Sequence, residues 1–181
     1  MNTANKLTIF RMILVPVFMI FLFSDINNAQ YIAAAIFILA SITDALDGHI
    51  ARSRNQITNF GKFMDPLADK ILVSSALISM IELGKIQAWV VVVIIAREFA
   101  ITGLRVIAAS EGITIAANKL GKIKTVTQLI AIITLLFNNY PFRLINFPFD
   151  QIMIYVAVFF TILSGIDYIY KNRKVLHSGD R

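Results

Sequence analysis

Four aspartates stand in two short strings. Thr43-Asp44-Ala45-Leu46-Asp47-Gly48-His49-Ile50-Ala51-Arg52 is followed, after eight further residues, by Gly61-Lys62-Phe63-Met64-Asp65-Pro66-Leu67-Ala68-Asp69. On a helix, Asp44 and Asp47 (i, i+3) share one face, and Asp65 and Asp69 (i, i+4) share another. The polar segment between them includes Ser53, Arg54, Asn55, Gln56, Thr58 and Asn59. It is short enough to make the two helices antiparallel neighbours, so the carboxylates are expected to converge. Converging carboxylates repel one another at low dielectric and call for protons, cationic partners or bound cations. Ligation by oxygen alone suits hard ions such as Mg²⁺, Mn²⁺ or Ca²⁺. A pair of such ions can clamp a diphosphate during an in-line displacement. Gly48 and Gly61 remove side chains where a helix or a nucleotide approaches closely. Pro66 falls near the expected start of its helix, where proline is tolerated. For one aspartate at a helix end, pairing with Arg52, Arg54 or Lys62 at a solvated surface is the plainer reading. Four at this spacing favour a metal site.

The elements that must carry these residues are apolar. Of 181 residues, 57% are hydrophobic and 15% charged, and the mean hydropathy is +0.73. A chain this short has too little interior to hide so much apolar side chain in water. The same composition excludes a disordered chain. Apolar stretches run over Leu7–Phe23, Tyr31–Asp47, Phe63–Leu83, Ala88–Ala109, Ile123–Phe137 and Ile152–Tyr170. The pattern admits a start of the fifth as early as Ala116 and of the sixth near Phe147. Backbone polar groups must be satisfied internally in hydrocarbon, so the expected fold is all-α. It is a polytopic membrane protein, a six-transmembrane-helix bundle in one domain over 1–181, with a polar cavity facing the cytoplasm. Ser24–Gln30, Glu82–Lys85 and Asn138–Phe149 read as connections, with Asn138, Asn139 and Pro141 as helix-ending signals. The first stretch lacks a small-residue cleavage site and reads as a retained span.

Orientation follows from the basic residues. The net charge is +6. With the N-terminus inside, the inner loops and ends hold Lys6, Arg11, Arg52, Arg54, Lys62, Lys119, Lys122, Lys124, Lys171, Arg173, Lys174 and Arg181, and the outer ones only Lys85 and Arg143. That bias places both termini and the aspartates in the cytoplasm and the chain in the cell membrane. The positive charge is thereby assigned to topology and anionic lipid rather than to nucleic acid. Tyr31, Trp89, Tyr140, Tyr168 and Tyr170 lie near span ends and are expected at the interfaces. No cysteine is present, which excludes disulfides and thiol chemistry. His49 and His177 carry no signal, and the methionines and phenylalanines read as packing or lipid-facing residues.

Three further strings place polar groups on apolar helices. Asn5, Thr8 and Arg11 recur every third residue; a snorkelling interfacial face would explain them, and so would contact with a nucleotide. Arg97, Glu98, Thr102 and Arg105 fall within about 140° of one helix face. They read either as a structural Arg–Glu network or as a phosphate clamp, since guanidinium offers phosphate two parallel donors. Arg105, nearer the inner surface, is the stronger clamp candidate. Lys119, Lys122 and Thr125 share a face of the following helix. Alone they are an ordinary basic membrane edge; beside the arginines they could complete an anion pocket.

The aspartate strings resemble the signature of the CDP-alcohol phosphotransferase family, D-x-x-D-G-x-x-A-R, eight residues, then G-x-x-x-D-x-x-x-D. Asp44, Asp47, Gly48, Ala51, Arg52, Gly61, Asp65 and Asp69 fill every fixed position. The resemblance implies a six-helix membrane enzyme, a homodimer, that displaces CMP from a CDP-linked donor with an alcohol. It implies that Asp44, Asp47 and Asp65 hold two divalent metals, Mg²⁺ or Mn²⁺, and that Asp69 completes the site and acts as general base. Gly48, Ala51, Arg52 and Gly61 would line the cytidine and diphosphate site together with the aspartates, and Asn5 and Thr8 would lie near the nucleotide. The strings Ala96-Arg97-Glu98 to Leu104-Arg105, Gly121-Lys122-Ile123-Lys124-Thr125 and Ser164-Gly165-Ile166-Asp167-Tyr168 are similar to those of bacterial members that use sn-glycerol 3-phosphate as acceptor. For that branch the donor is CDP-diacylglycerol and the products are phosphatidylglycerol phosphate and CMP. Arg97, Arg105, Lys119, Lys122 and Thr125 would then bind the acceptor phosphate. Inositol phosphate is an alternative acceptor needing the same clamp; serine and a second phosphatidylglycerol fit the basic residues less well. A divalent-cation transporter built on the aspartates is an alternative of another class. A non-catalytic scaffold is a third.

Overall fold

The computed structural model describes residues 3–53, 59–110, 112–113, 115 and 118–173, with side chains for 6–43, 64, 67–110, 112–113, 115 and 118–173. Among the described residues the chain is all-helical: α1 (Thr3–Leu22), α2 (Ala29–Ser53), α3 (Asn59–Glu82), α4 (Ala88–Ser110), α5 (Lys119–Leu136), a short 3-10 turn (Phe142–Ile145) and α6 (Phe149–Lys171). Each expected apolar stretch falls on one helix. Two helices reach beyond the apolar pattern in a way that matters. α2 continues through Asp44, Asp47 and Arg52, and α3 begins at Asn59. Pro66 is therefore the eighth residue of α3 and sits in its third turn, not near its start. Helix-forming backbone thus continues into the charged strings, where hydropathy alone ends too early.

The chain divides into two compact units. The first comprises residues 1–85 with 136–138, the second 86–135 with 139–181. In the first, α1 packs on both α2 and α3, and does so more extensively than those two pack on each other. The expected α2–α3 neighbour pair is thus a three-helix unit with α1 as its main contact. Its buried side chains are Leu14, Val15 and Phe18 of α1, Ala33, Ala34, Phe37 and Ala40 of α2, and Ala68, Leu72, Ala76, Leu77 and Met80 of α3, among others. The Phe18 and Phe37 rings lie 5.9 Å apart. Buried alanines let helix backbones approach closely. At the other end of this unit, Gln30 and Lys85 both donate to Asn138 Oδ1, at 3.1 and 2.7 Å.

In the second unit α4 packs on α6. Ile101, Leu104, Ala108 and Tyr168 form a buried cluster with Ile115 against it. Phe142, Phe147 and Phe149 gather around the 3-10 turn, with the Phe142 and Phe149 centroids 4.2 Å apart. Asn138 and Asn139 adopt positive φ of 51° and 59° just past α5, as their helix-ending character predicts. Asn139 Oδ1 then accepts from the Asp150 N–H in the first turn of α6.

Among the described residues one helix, Phe149–Lys171, is long and apolar enough by length and composition to cross a membrane, and Ala29–Thr43 is a shorter apolar stretch. α4 and α5 carry Arg97, Glu98, Arg105 and three lysines within their apolar lengths. All six helices expose large apolar side chains, among them Ile20, Leu39, Ile78, Val92, Val126 and Phe159.

Candidate active site

The aspartates belong to the first unit. α2 carries Asp44 and Asp47 one turn apart, and α3 carries Asp65 and Asp69 one turn apart. The side chains of Asn5, Asp44, Asp47, Gly48, Ala51, Arg52, Gly61 and Asp65 lie outside the described residues, so their roles rest on helix position. Asp69 is half-buried, next to fully buried Ala68 and one turn before buried Leu72. It therefore stands at the edge of the face by which α3 packs into its unit. Among the described residues no group of three or more metal-ligating side chains occurs, as three of the four aspartates fall outside them. The donor set nevertheless suits a hard divalent cation: carboxylate oxygens only, in pairs one turn apart on two helices of one unit.

α1 gives a clear correction. Thr8 and Arg11 are fully buried, so these two residues of the polar stripe face the interior of the three-helix unit. They do not form a snorkelling interfacial face, and Thr8 is not presented at the surface. A guanidinium enclosed among helices is costly unless compensated. Arg11 accordingly contributes one fixed positive charge to the unit that carries the four carboxylates.

The second unit holds the other predicted residues. Arg97 and Arg105 project from α4, and Lys119, Lys122 and Thr125 from α5. Arg105, Lys119, Lys122 and Thr125 are exposed; Arg97 is largely covered. Glu98 accepts from Arg97 Nη1 at 3.2 Å and is also ion-paired to the buried Lys124. The Arg–Glu network is therefore real for Arg97, whereas Arg105 takes a different partner. Its Nε donates to Tyr168 Oη at 2.8 Å, and its guanidinium carbon lies 5.3 Å from that ring's centre.

Several of these partners were not legible as site residues. Tyr168 is buried, whereas Tyr31, Trp89, Tyr140 and Tyr170 are exposed. Ser164 Oγ accepts from Arg97 Nη2 at 2.9 Å. Asp167 accepts from Asn118 Nδ2 at 2.7 Å and pairs with Lys171 at 2.8 Å. Asn118 in turn accepts the Gly121 N–H at 2.7 Å, capping the start of α5. One glycine, Gly165, makes room for Arg97. A Cβ at Gly165 would stand 3.2 Å from its Cγ, tighter than ordinary contact. The only hint in the sequence was the polar string Ser164-Gly165-Ile166-Asp167-Tyr168 near the end of an apolar helix.

The chemistry available is thus divided between carboxylates on α2 and α3 and basic side chains on α4 and α5. The family profile described as CDP-alcohol phosphatidyltransferase matches residues 1–163. The chain is 48% identical to the CDP-diacylglycerol–glycerol-3-phosphate 3-phosphatidyltransferase of Bacillus subtilis, with 99% of each chain covered. It is 34% identical to the protein of that name from Rickettsia felis, with 96% of each covered. It is 39% identical to a probable phosphatidylglycerophosphate synthase of Mycobacterium tuberculosis, covering 93% of this chain and 80% of that one. The aspartate signature, the helical fold and these similarities agree: the chain belongs to the CDP-alcohol phosphatidyltransferase family.

Proposed function

We propose that the protein transfers the phosphatidyl group of CDP-diacylglycerol to sn-glycerol 3-phosphate, giving phosphatidylglycerol phosphate and CMP. The observation that carries this reading is near-full-length similarity to transferases of that name, at 48% identity for the Bacillus subtilis protein, together with a completely filled aspartate signature. The basic residues of α4 and α5 support an acceptor that itself bears a phosphate.

Asp69 takes the proton from the acceptor 1-hydroxyl. The freed oxygen attacks the phosphatidyl phosphorus, the bond from that phosphorus to the bridging oxygen breaks, and CMP leaves with that oxygen. Mg²⁺ or Mn²⁺, as two ions held by Asp44, Asp47, Asp65 and Asp69, would supply neutralisation of the donor diphosphate and of charge developing on CMP. Asn5, Thr8, Gly48, Ala51, Arg52 and Gly61 are assigned to the donor; the enclosed Thr8 acts from within the α1 stripe. Arg97, Arg105, Lys119, Lys122 and Thr125 are assigned to the acceptor phosphate.

The chain is read as six membrane spans with both termini and the active site cytoplasmic, and as a homodimer. Large apolar side chains exposed on every helix support lipid contact, and the distribution of Lys and Arg supports the orientation. The test is an acceptor screen on purified protein with CDP-diacylglycerol and Mg²⁺ or Mn²⁺, recording CMP release. The acceptors are glycerol 3-phosphate, inositol phosphate, serine and phosphatidylglycerol. Release is expected with glycerol 3-phosphate and is expected to fall about 1,000-fold in Asp69→Asn, within the range of a lost general base. Release with a different alcohol would overturn the acceptor assignment. No release with any, from folded and metal-loaded protein, would move the reading toward cation transport.

A further inference from the structure

We infer that one face of α6 sets the acceptor affinity: Tyr168 and Ser164 are positioning residues that hold Arg105 and Arg97 in place for the acceptor phosphate. The inference rests on the acceptor assignment above and names residues outside it. Ser164, Asp167 and Tyr168 are spaced i, i+3, i+4 and share one helix face. Each holds a polar residue of α4 or of the α5 start: Ser164 with Arg97, Tyr168 with Arg105, and Asp167 with Asn118.

The way the two arginines are held differs, and the difference suits phosphate binding. Arg105 is an exposed side chain on α4. Left alone it would sample many rotamers and lose that freedom on binding an anion. Tyr168 uses only the Nε–H of the guanidinium, which leaves the Nη1–Nη2 edge, the fork that meets two phosphate oxygens. The Tyr168 ring is buried among Ile101, Leu104 and Ala108, so the hydroxyl is a fixed anchor. Arg97 is held at its other end. Nη1 goes to Glu98 and Nη2 to Ser164, while its buried Nε has no hydrogen-bond partner among the described residues. Gly165 leaves the space its stem occupies. A helix that served only as packing would not need three polar anchors aimed at the same basic elements.

The test compares Tyr168→Phe and Ser164→Ala with the wild type in steady-state CMP release, varying glycerol 3-phosphate and CDP-diacylglycerol separately. Tyr168→Phe keeps the buried ring and removes only the hydroxyl. The KM for glycerol 3-phosphate is expected to rise about tenfold, the effect of loosening one charge-assisted hydrogen bond. The kcat at saturating acceptor, the KM for CDP-diacylglycerol and the thermal midpoint stay at wild-type values. Ser164→Ala is expected to move the same constant in the same direction, by less. In an Arg105→Met background, Tyr168→Phe is expected to add nothing, because its effect runs through Arg105. An unchanged acceptor KM in both variants would overturn the inference. So would equal losses in both substrates' constants, or a Tyr168→Phe effect that persists without Arg105. A wild-type protein that does not use glycerol 3-phosphate would instead overturn the proposed function, so the two failures are distinct.

Discussion

The half of the chain that carries the aspartates and the half that carries the arginines are built by different means. In the first, α1 lies against α2 and α3 through alanines, leucines and the Phe18–Phe37 pair, and the one enclosed cation of α1 is Arg11. In the second, α4 meets α6 through an apolar cluster and through hydrogen bonds from both of its arginines, and α5 joins by the Lys124–Glu98 pair. The contrast follows the chemistry assigned to each. Carboxylates one turn apart on a helix are set by the backbone; their positions need close helix packing and little else. Long arginine and lysine side chains gain precision only when other side chains fix them.

That contrast can be broken from either side. Phe37→Ala removes a fully buried ring from the first unit and is expected to cost about 3 kcal/mol, as large-to-small core changes do. A thermal-denaturation series on detergent-solubilised protein would measure it. A loss well under 1 kcal/mol would show that α1 and α2 are not held by this packing. Glu98→Gln tests the other half. It removes the negative charge from the Glu98–Lys124 pair, and with Glu98 itself partly exposed the expected loss is about 2 kcal/mol. Combining it with Lys124→Met, which removes the buried positive charge as well, is expected to recover most of the stability. If the double variant is no better than the single one, the polar contacts of this unit are not organised around that pair.

The same contrast explains what could be read from the sequence. The aspartate strings were legible because their spacing lies within single helices, where i, i+3 and i, i+4 fix a common face. The six helices were legible from hydropathy, except at the charged ends of α2 and α3, where apolar content stops before the helix does. Arg97–Ser164 and Arg105–Tyr168 join residues 67 and 63 positions apart, and no periodicity announces such a pair. The pairing of Tyr168 is hidden for the same reason: a tyrosine near a span end gives no sign of the partner that covers its hydroxyl. Lys122 and Lys124 look alike in sequence, both among the inner cations; two residues along a helix is about 200°, enough to turn one outward and one inward. Arg11 reads as a snorkelling residue until the packing of α2 and α3 around α1 encloses it.

The smallest effect concerns how α5 begins. Asn118 accepts the Gly121 N–H and donates to Asp167, so one side chain caps α5 and ties it to α6. A Cβ on residue 121 would stand 2.8 Å from Asn118 Oδ1, closer than the two can remain. Gly121→Ala raises intrinsic helix propensity by about 1 kcal/mol, and breaking the cap costs about the same. The global thermal midpoint is therefore expected to move little. What should change is local: faster backbone amide exchange over the first turn of α5, which carries Lys119 and Lys122, and a two- to threefold rise in the glycerol 3-phosphate KM, about 0.5 kcal/mol. An Asn118→Ala variant should show the same exchange pattern without the propensity gain, and so lose about 1 kcal/mol of stability. Unchanged amide exchange at the start of α5 in both variants would show that this helix end is set by something other than Asn118.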